Sequence, residues 1–386
     1  MNNITSLDKL FVANTYARFP VEIVRGDGSI CYDSNGKQYI DLGTGIGVTA
    51  FGYSDKDWAN AVCSQVQTLQ HTSNLYYTEP CAKLAKILCD RTGLKKVFFS
   101  NSGAEANECA IKVARKYAED KGVFGSKIIT LKNSFHGRTI TTLSATGQDV
   151  FHKSFLPLTD GFLHADCYDV NSLTNLIKNN SVSAIMIECV QGEGGVNTLP
   201  NEFTETVKTI CKNNDILLII DEVQTGNGRT GKLYSYMHFG LTPDIVTTAK
   251  GLGGGLPIGA CILGEKVKDV LTPSSHGSTF GGNPVCSAGA INVLSRIDDK
   301  LLEEVNQKSS YIFNELTNAK GVLSVSGLGL MIGVETVKNA KDVVMECIEK
   351  GVLCLTAKNK VRLLPALNIP FETLKKAIEI LKSVIA

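Results

Sequence analysis

Between Lys95 and Gly264, short runs of apolar and β-branched residues alternate with longer stretches in which apolar positions recur every three or four residues. The short runs at 97–100, 127–131, 184–188, 216–220 and 258–263 are apolar on both faces, as the strands of a parallel sheet covered by helices must be. The longer stretches read as amphipathic helices. One, from Glu105 to Tyr117, puts Ala106, Ala110, Ala114 and Tyr117 on one face, and another lies at 202–212. This alternation predicts an α/β domain. After Gly282 the pattern changes to one long helix at about 288–318, a β-rich stretch at 322–335, a helix near Val343 and a last helix at 372–384. A smaller α+β domain is expected there, with the residues before Gly47 packed against it. The predicted division is an N-terminal segment 1–46, a large domain 47–278 and a small domain 279–386.

A chain of 386 residues is long enough for two domains that share a cleft. Its 43% hydrophobic and 20% charged residues are those of an ordinary folded protein. With 39 Lys and Arg against 38 Asp and Glu, there is no basic field for nucleic acid or anionic lipid. The expected partners are therefore small molecules and other copies of the chain. The opening residues MNNITSLDKLFVANTYARF lack a basic stretch followed by an apolar core, and the apolar run at 216–220 is far too short to span a bilayer. Together these predict a cytoplasmic protein. The twelve cysteines form no CxxC pair, and Cys109, Cys189 and Cys261 sit inside apolar elements, so neither a disulfide frame nor a metal site is expected.

Ligands in open α/β sheets bind outside the carboxyl ends of the strands, and four motifs fall there. In NSGAEANE, Ser102 and Glu105 have the spacing of a capping box, and Gly103 and Ala104 are small enough to admit an anion to the free amides of the helix start. A plain helix cap explains the same residues. The strand at 216–220 delivers Asp221, followed by Val223 and Gln224. A carboxylate at a strand end serves equally as a cap or as the fixed partner of a protonated ring nitrogen. Lys250 in DIVTTAKGLGGGLPIG stands between an apolar run and a glycine-rich turn, a poor place for a solvated lysine. A partly desolvated lysine titrates low enough to attack an aldehyde, as a Schiff base requires. HGSTFGGNP places Ser278 and Thr279 in a glycine-rich loop at the domain junction, suited to a hinge or to a phosphate. Gly226, Gly228 and Gly231 spell GxGxxG, but Asp221 to Thr225 separate them from the strand and no crossover helix follows, so a dinucleotide fold is not predicted. GxxxxGK[ST] is absent, which excludes a P-loop.

In order and spacing these motifs, from NTYARFP at Asn14 through NSGAEANE, NSFHGRT, IECVQGEGG, DEVQTGNGRTGK, TTAKGLGGGLPIGA and HGSTFGGNP to VRLLPAL, resemble the class III aminotransferases over nearly the whole chain. The resemblance implies the aspartate-aminotransferase-like fold type I of pyridoxal-phosphate enzymes, with a large α/β domain whose sheet is mostly parallel and a smaller α+β domain. It implies pyridoxal 5′-phosphate as cofactor, joined covalently to Lys250, with Asp221 on the ring nitrogen and Gln224 near the ring hydroxyl. Phe135 would stack on the ring beside Val223. Ser102, Gly103 and Ala104 would hold the phosphate, and Thr279 would reach the phosphate of the partner in a homodimer with shared active sites. Arg138, with Ser278 nearby, would fork the donor's α-carboxylate, while Glu188, Glu193 and Arg362 would form the gate for two unlike substrates. His136 is expected to pack or hydrogen-bond rather than to carry acid–base catalysis.

The activity implied is transfer of the δ-amino group of N2-acetyl-L-ornithine to 2-oxoglutarate, a step of arginine biosynthesis. Ornithine, succinylornithine, succinyldiaminopimelate and 4-aminobutyrate are the alternative donors within the family. Ile46, where the ornithine enzymes align a tyrosine, tilts against free ornithine. An aminomutase would not need a switchable second carboxylate site. A pyridoxal-phosphate-binding regulator would carry a DNA-binding module, for which the chain has neither length nor charge.

Overall fold

The computed structural model describes residues 4–386. Residues 1–3 of the segment expected to join the smaller domain lie outside the described residues. The strand Leu217–Asp221, buried at every position, lies at the middle of a seven-stranded sheet. Across that sheet the order is Lys96–Ser100, Gly259–Leu263, Ile245–Thr248, Leu217–Asp221, Val182–Ile187, Lys127–Leu131 and Phe162–Ala165. The sheet is parallel except for Gly259–Leu263, which pairs antiparallel with both of its neighbours. Apolarity on both faces does not reveal direction. The chain from Thr248 to Gly259 is too short for the crossover that a parallel neighbour needs, so the strand turns back. Phe162–Ala165, an edge strand with His164 in it, escaped the pattern.

The helix Gly103–Glu119 crosses this sheet with Ala106, Cys109, Ala110, Val113 and Ala114 buried, small side chains that let it lie close. The long helix expected at 288–318 is two helices, Pro284–Arg296 and Asp299–Leu316. Asp298 ends the continuity by accepting the N–H of Leu301 as an N-cap at 2.8 Å, an alternative partner for a backbone donor that a continuous helix would have used. The β-rich stretch after Gly321 forms the antiparallel hairpin Val322–Leu328 and Met331–Thr336 within a four-stranded sheet completed by Lys360–Leu363 and Leu355–Ala357. A third sheet joins Ile23–Asp27, Ile30–Asp33 and Gln38–Asp41 to Val352–Leu353, where Ile40 pairs with Val352. The chain's beginning and its C-terminal part thus share a sheet. All twelve cysteines are free, and no described helix is long and apolar enough to cross a membrane.

Candidate functional site

A cavity of about 420 Å³ opens at the carboxyl ends of the central strands. Lys250, Asp221, Phe135, Arg138, Glu188 and Gln224 all line it. These residues come from separate segments that only the sheet order brings together.

Lys250 begins a single 3-10 turn, Lys250–Leu252, directly after Ile245–Thr248 and Ala249, and its φ of +44° is left-handed, a region that a side chain rarely adopts. The turn is held from several sides. Trp58 Nε1 donates to Gly253 O at 3.1 Å, and Asn227 Nδ2 donates to Thr248 Oγ1 at 2.9 Å, so the false dinucleotide motif braces the lysine's strand. A Cβ on Gly253 would lie 2.1 Å from Leu256 O, which explains glycine there. Burial depresses the Lys250 ammonium below the ordinary lysine range. The charge of Arg362 acts in the same direction, against those of Glu193, Asp221 and Glu188.

Asp221 ends its strand 3% exposed. Its Oδ1 accepts the N–H of Val223 at 3.0 Å, and its Oδ2 accepts from His136 Nδ1 and Asn107 Nδ2, both at 2.8 Å. For His136, burial alone would depress the imidazolium. The hydrogen bond and charge of Asp221, with the charge of Glu188, outweigh it and leave the pKa raised. Asn107 was missed in the sequence. Its signal was a poor helix former among the alanines of the buried helix face, a pattern that a capped or kinked helix also produces.

At the cavity's other end, Ser102 caps the helix Gly103–Glu119 by accepting the N–H of Glu105, and Glu105 Oε2 accepts the N–H of Asn101 at 2.9 Å. The Ser102 half of the capping box forms, while Glu105 reaches past the Ser102 N–H to that of Asn101, and the amides of Gly103 and Ala104 are helix-start donors beside the cavity. A Cβ on Gly103 would come within 2.6 Å of Val223, so this corner admits only glycine.

Glu188 is 6% exposed, and its Oε2 accepts the N–H of Phe135 at 2.9 Å. Burial pushes its carboxyl up to about 7. The guanidinium of the exposed Arg138 lies 4.2 Å over the ring of Phe151 and 5.5 Å from that of Phe135, and among the described residues no acidic side chain pairs with it. Arg362 and Glu193 stand behind the cavity wall, 2.5 Å apart. Gln224 joins them, accepting from Arg362 Nη1 at 3.0 Å and donating to Glu193 at 3.3 Å. The charge of Arg362 and its hydrogen bond hold the Glu193 carboxyl below its usual value although burial opposes this. Ser278 and Thr279 do not line this cavity. They lie on a loop whose carbonyls at Ser278 and Gly281 accept from Asn74 Nδ2 at 2.9 and 2.8 Å, and Thr279 is exposed.

Residues 11–385 match the Aminotransferase class-III family. An acetylornithine aminotransferase of Haemophilus ducreyi is 51% identical over 388 residues, covering 100% of this chain and 99% of that protein. One from Aquifex aeolicus is 47% identical over 97% of this chain and 100% of its own. Among solved structures, the ornithine aminotransferase of Toxoplasma gondii ME49 superposes with a TM-score of 0.94 at 33% identity, over 99% of this chain and 94% of that one. The N-acetylornithine aminotransferase of Stenotrophomonas maltophilia superposes at 0.86, also with 33% identity, over 99% and 98%.

Proposed function

The chain belongs to the class III aminotransferase family, and from that premise we propose that it moves the δ-amino group of N2-acetyl-L-ornithine to 2-oxoglutarate, leaving N-acetyl-L-glutamate 5-semialdehyde and L-glutamate. The observation that carries the reading is the meeting of Lys250, Asp221 and the free helix start at Gly103 in one cavity.

These residues fit pyridoxal 5′-phosphate. A lysine depressed by burial suits the aldehyde, and a carboxylate fixed by three donors suits a ring nitrogen. The amides of Gly103 and Ala104, with Ser102, suit the phosphate, and Phe135, Val223 and Gln224, which line the same cavity, would hold the ring. The cofactor supplies a carbonyl that takes up an amine and a ring that accepts the electrons released when the neighbouring C–H bond breaks. With the cofactor bound, Lys250 Nζ would take the proton from the carbon bearing the amine and pass it to the cofactor's carbonyl carbon, and in the second half-reaction would carry a proton the opposite way. Asp221 would keep the ring nitrogen protonated. Arg138, without an acidic partner among the described residues, forks the donor's α-carboxylate, with Ser278 nearby behind the cavity-lining Asn101. Glu193 neutralises Arg362 while the donor is bound and releases it for the carboxylate of 2-oxoglutarate, and Glu188 fixes the wall beside them through Phe135.

The same reading takes 47–278 as the cofactor-binding domain and 279–386, with 1–46 packed on it, as the smaller one. The pairing of Ile40 with Val352 supports that grouping. It also makes the protein a homodimer with shared sites, Thr279 serving the partner's phosphate, and places it in the cytoplasm, where free cysteines stay reduced.

A panel of acetylornithine, ornithine, succinylornithine, succinyldiaminopimelate and 4-aminobutyrate, each assayed with 2-oxoglutarate, tests the donor. Acetylornithine should give the highest kcat/KM. A preference for 4-aminobutyrate or free ornithine would overturn the assignment.

A further inference from the structure

Asn107 occupies an expensive position for an amide. It is 1% exposed, and its Oδ1 is buried without a hydrogen-bond partner. Its Nδ2, by contrast, has two acceptors, Asp221 Oδ2 at 2.8 Å and His136 O at 2.7 Å. Two acceptors on one atom fix which end of the amide is nitrogen, because turned over it would set an oxygen against a carboxylate and a carbonyl. The side chain therefore ties three elements together: the helix Gly103–Glu119, the loop at His136 and the end of the strand Leu217–Asp221. His136 reaches the same carboxylate oxygen through Nδ1, and its own N–H donates to Thr146 Oγ1 at 2.9 Å. Through the carbonyl of His136, Asn107 also sets the second donor to Asp221.

We propose that Asn107 is the positioning residue of Asp221: its amide holds the carboxylate, directly and by way of His136, in the orientation in which it meets the cofactor's ring. This rests on the reading of Asp221 as the partner of the ring nitrogen. Asn107 borders the cavity, but its Nδ2 is spent on Asp221 and the carbonyl of His136, so a contribution made through Asp221 vanishes once Asp221 is removed. A packing role would persist.

The test combines Asn107→Ala and the isosteric Asn107→Asp with Asp221→Ala, singly and in pairs. Affinity of the apoprotein for pyridoxal 5′-phosphate is read from cofactor absorbance, beside steady-state rates. Asn107→Ala should lower both kcat and cofactor affinity about tenfold, with KM for both substrates nearly unchanged. In the Asp221→Ala background the same substitution should alter either quantity by less than about twofold. Asn107→Asp keeps the volume but sets a second carboxyl beside the first, so its loss of affinity should deepen from pH 5 to pH 8. Equal losses with and without Asp221, or no loss from either substitution, would overturn the proposal for Asn107 alone. If Asp221→Ala itself keeps rate and affinity, the reading of Asp221 fails and the proposal falls with it.

Discussion

At the scale of single residues, the site sets charges against burial. Glu193 and Arg362 are held together behind the cavity, Arg362 with a side chain 4% exposed and its Nε without a partner. A buried arginine that satisfies only part of its fork is poised to accept another carboxylate. Arg362→Ala should leave cofactor reduction by acetylornithine nearly intact in single turnover and slow reoxidation by 2-oxoglutarate by roughly 2–4 kcal/mol in the barrier. Glu193→Ala should slow the donor half instead and make glutamate a better donor. Rapid mixing separates the halves, and equal losses in both would mean a static pair. Glu188 gives a test by pH. Burial raises its carboxyl from 4.5 to about 7. Below about 4.5 it is protonated both folded and unfolded, and no penalty arises. Between 4.5 and 7 the folded chain retains a proton that the unfolded chain has released, so stability falls as pH rises, and above 7 the whole penalty remains. Glu188→Gln, which still accepts the N–H of Phe135, should therefore raise the Tm of the apoprotein at pH 8 far more than at pH 5, by a stability gain of at most about 3 kcal/mol. A gain independent of pH would contradict the assignment.

At the scale of elements, the sequence was informative where local physics acts alone. Ser102 and Glu105 predicted the helix start because a cap needs only neighbouring atoms: Ser102 accepts the N–H of Glu105, and Glu105 reaches one residue further back than the box requires, to the N–H of Asn101. The break at Asp298 was legible in principle, since an aspartate before a helical pattern is an N-cap. It was overlooked because the apolar spacing runs on in nearly the same phase through both helices. The direction of Gly259–Leu263 was not legible in its own residues, which suit either orientation, but only in the short connection that precedes it. Asn107 was legible as an anomaly and silent as to purpose. A polar residue on a buried helix face announces a partner without saying which strand will supply it.

At the scale of the molecule, the loop of Thr279 is the element that a single chain does not explain. Thr279 is exposed outside its own cavity, and Leu75, Tyr76, Tyr77 and Phe280 around it are exposed as well, an apolar patch suited to a second copy. If Thr279 serves the partner's site, mixing Thr279→Ala with Lys250→Ala subunits creates in each mixed dimer one site with an intact lysine and an intact threonine. Activity should then rise after subunit exchange to about a quarter of the wild-type value, half the dimers being mixed and one site in each complete. Activity no higher than the mean of the two parents would place Thr279 in its own chain's site. The sequence by itself determined the alternation of strands and helices, the capped helix start at Ser102, and the lysine between a strand and a glycine turn. Each of these depends on residues a few positions apart, whose periodicity, caps and backbone freedom act locally. Only the tertiary structure brought Asn107 to Asp221 across 114 positions and Arg362 to Glu193 across 169. Such meetings depend on the order in which strands enter the sheet and on how the C-terminal elements close over it, and no neighbouring residue carries that information.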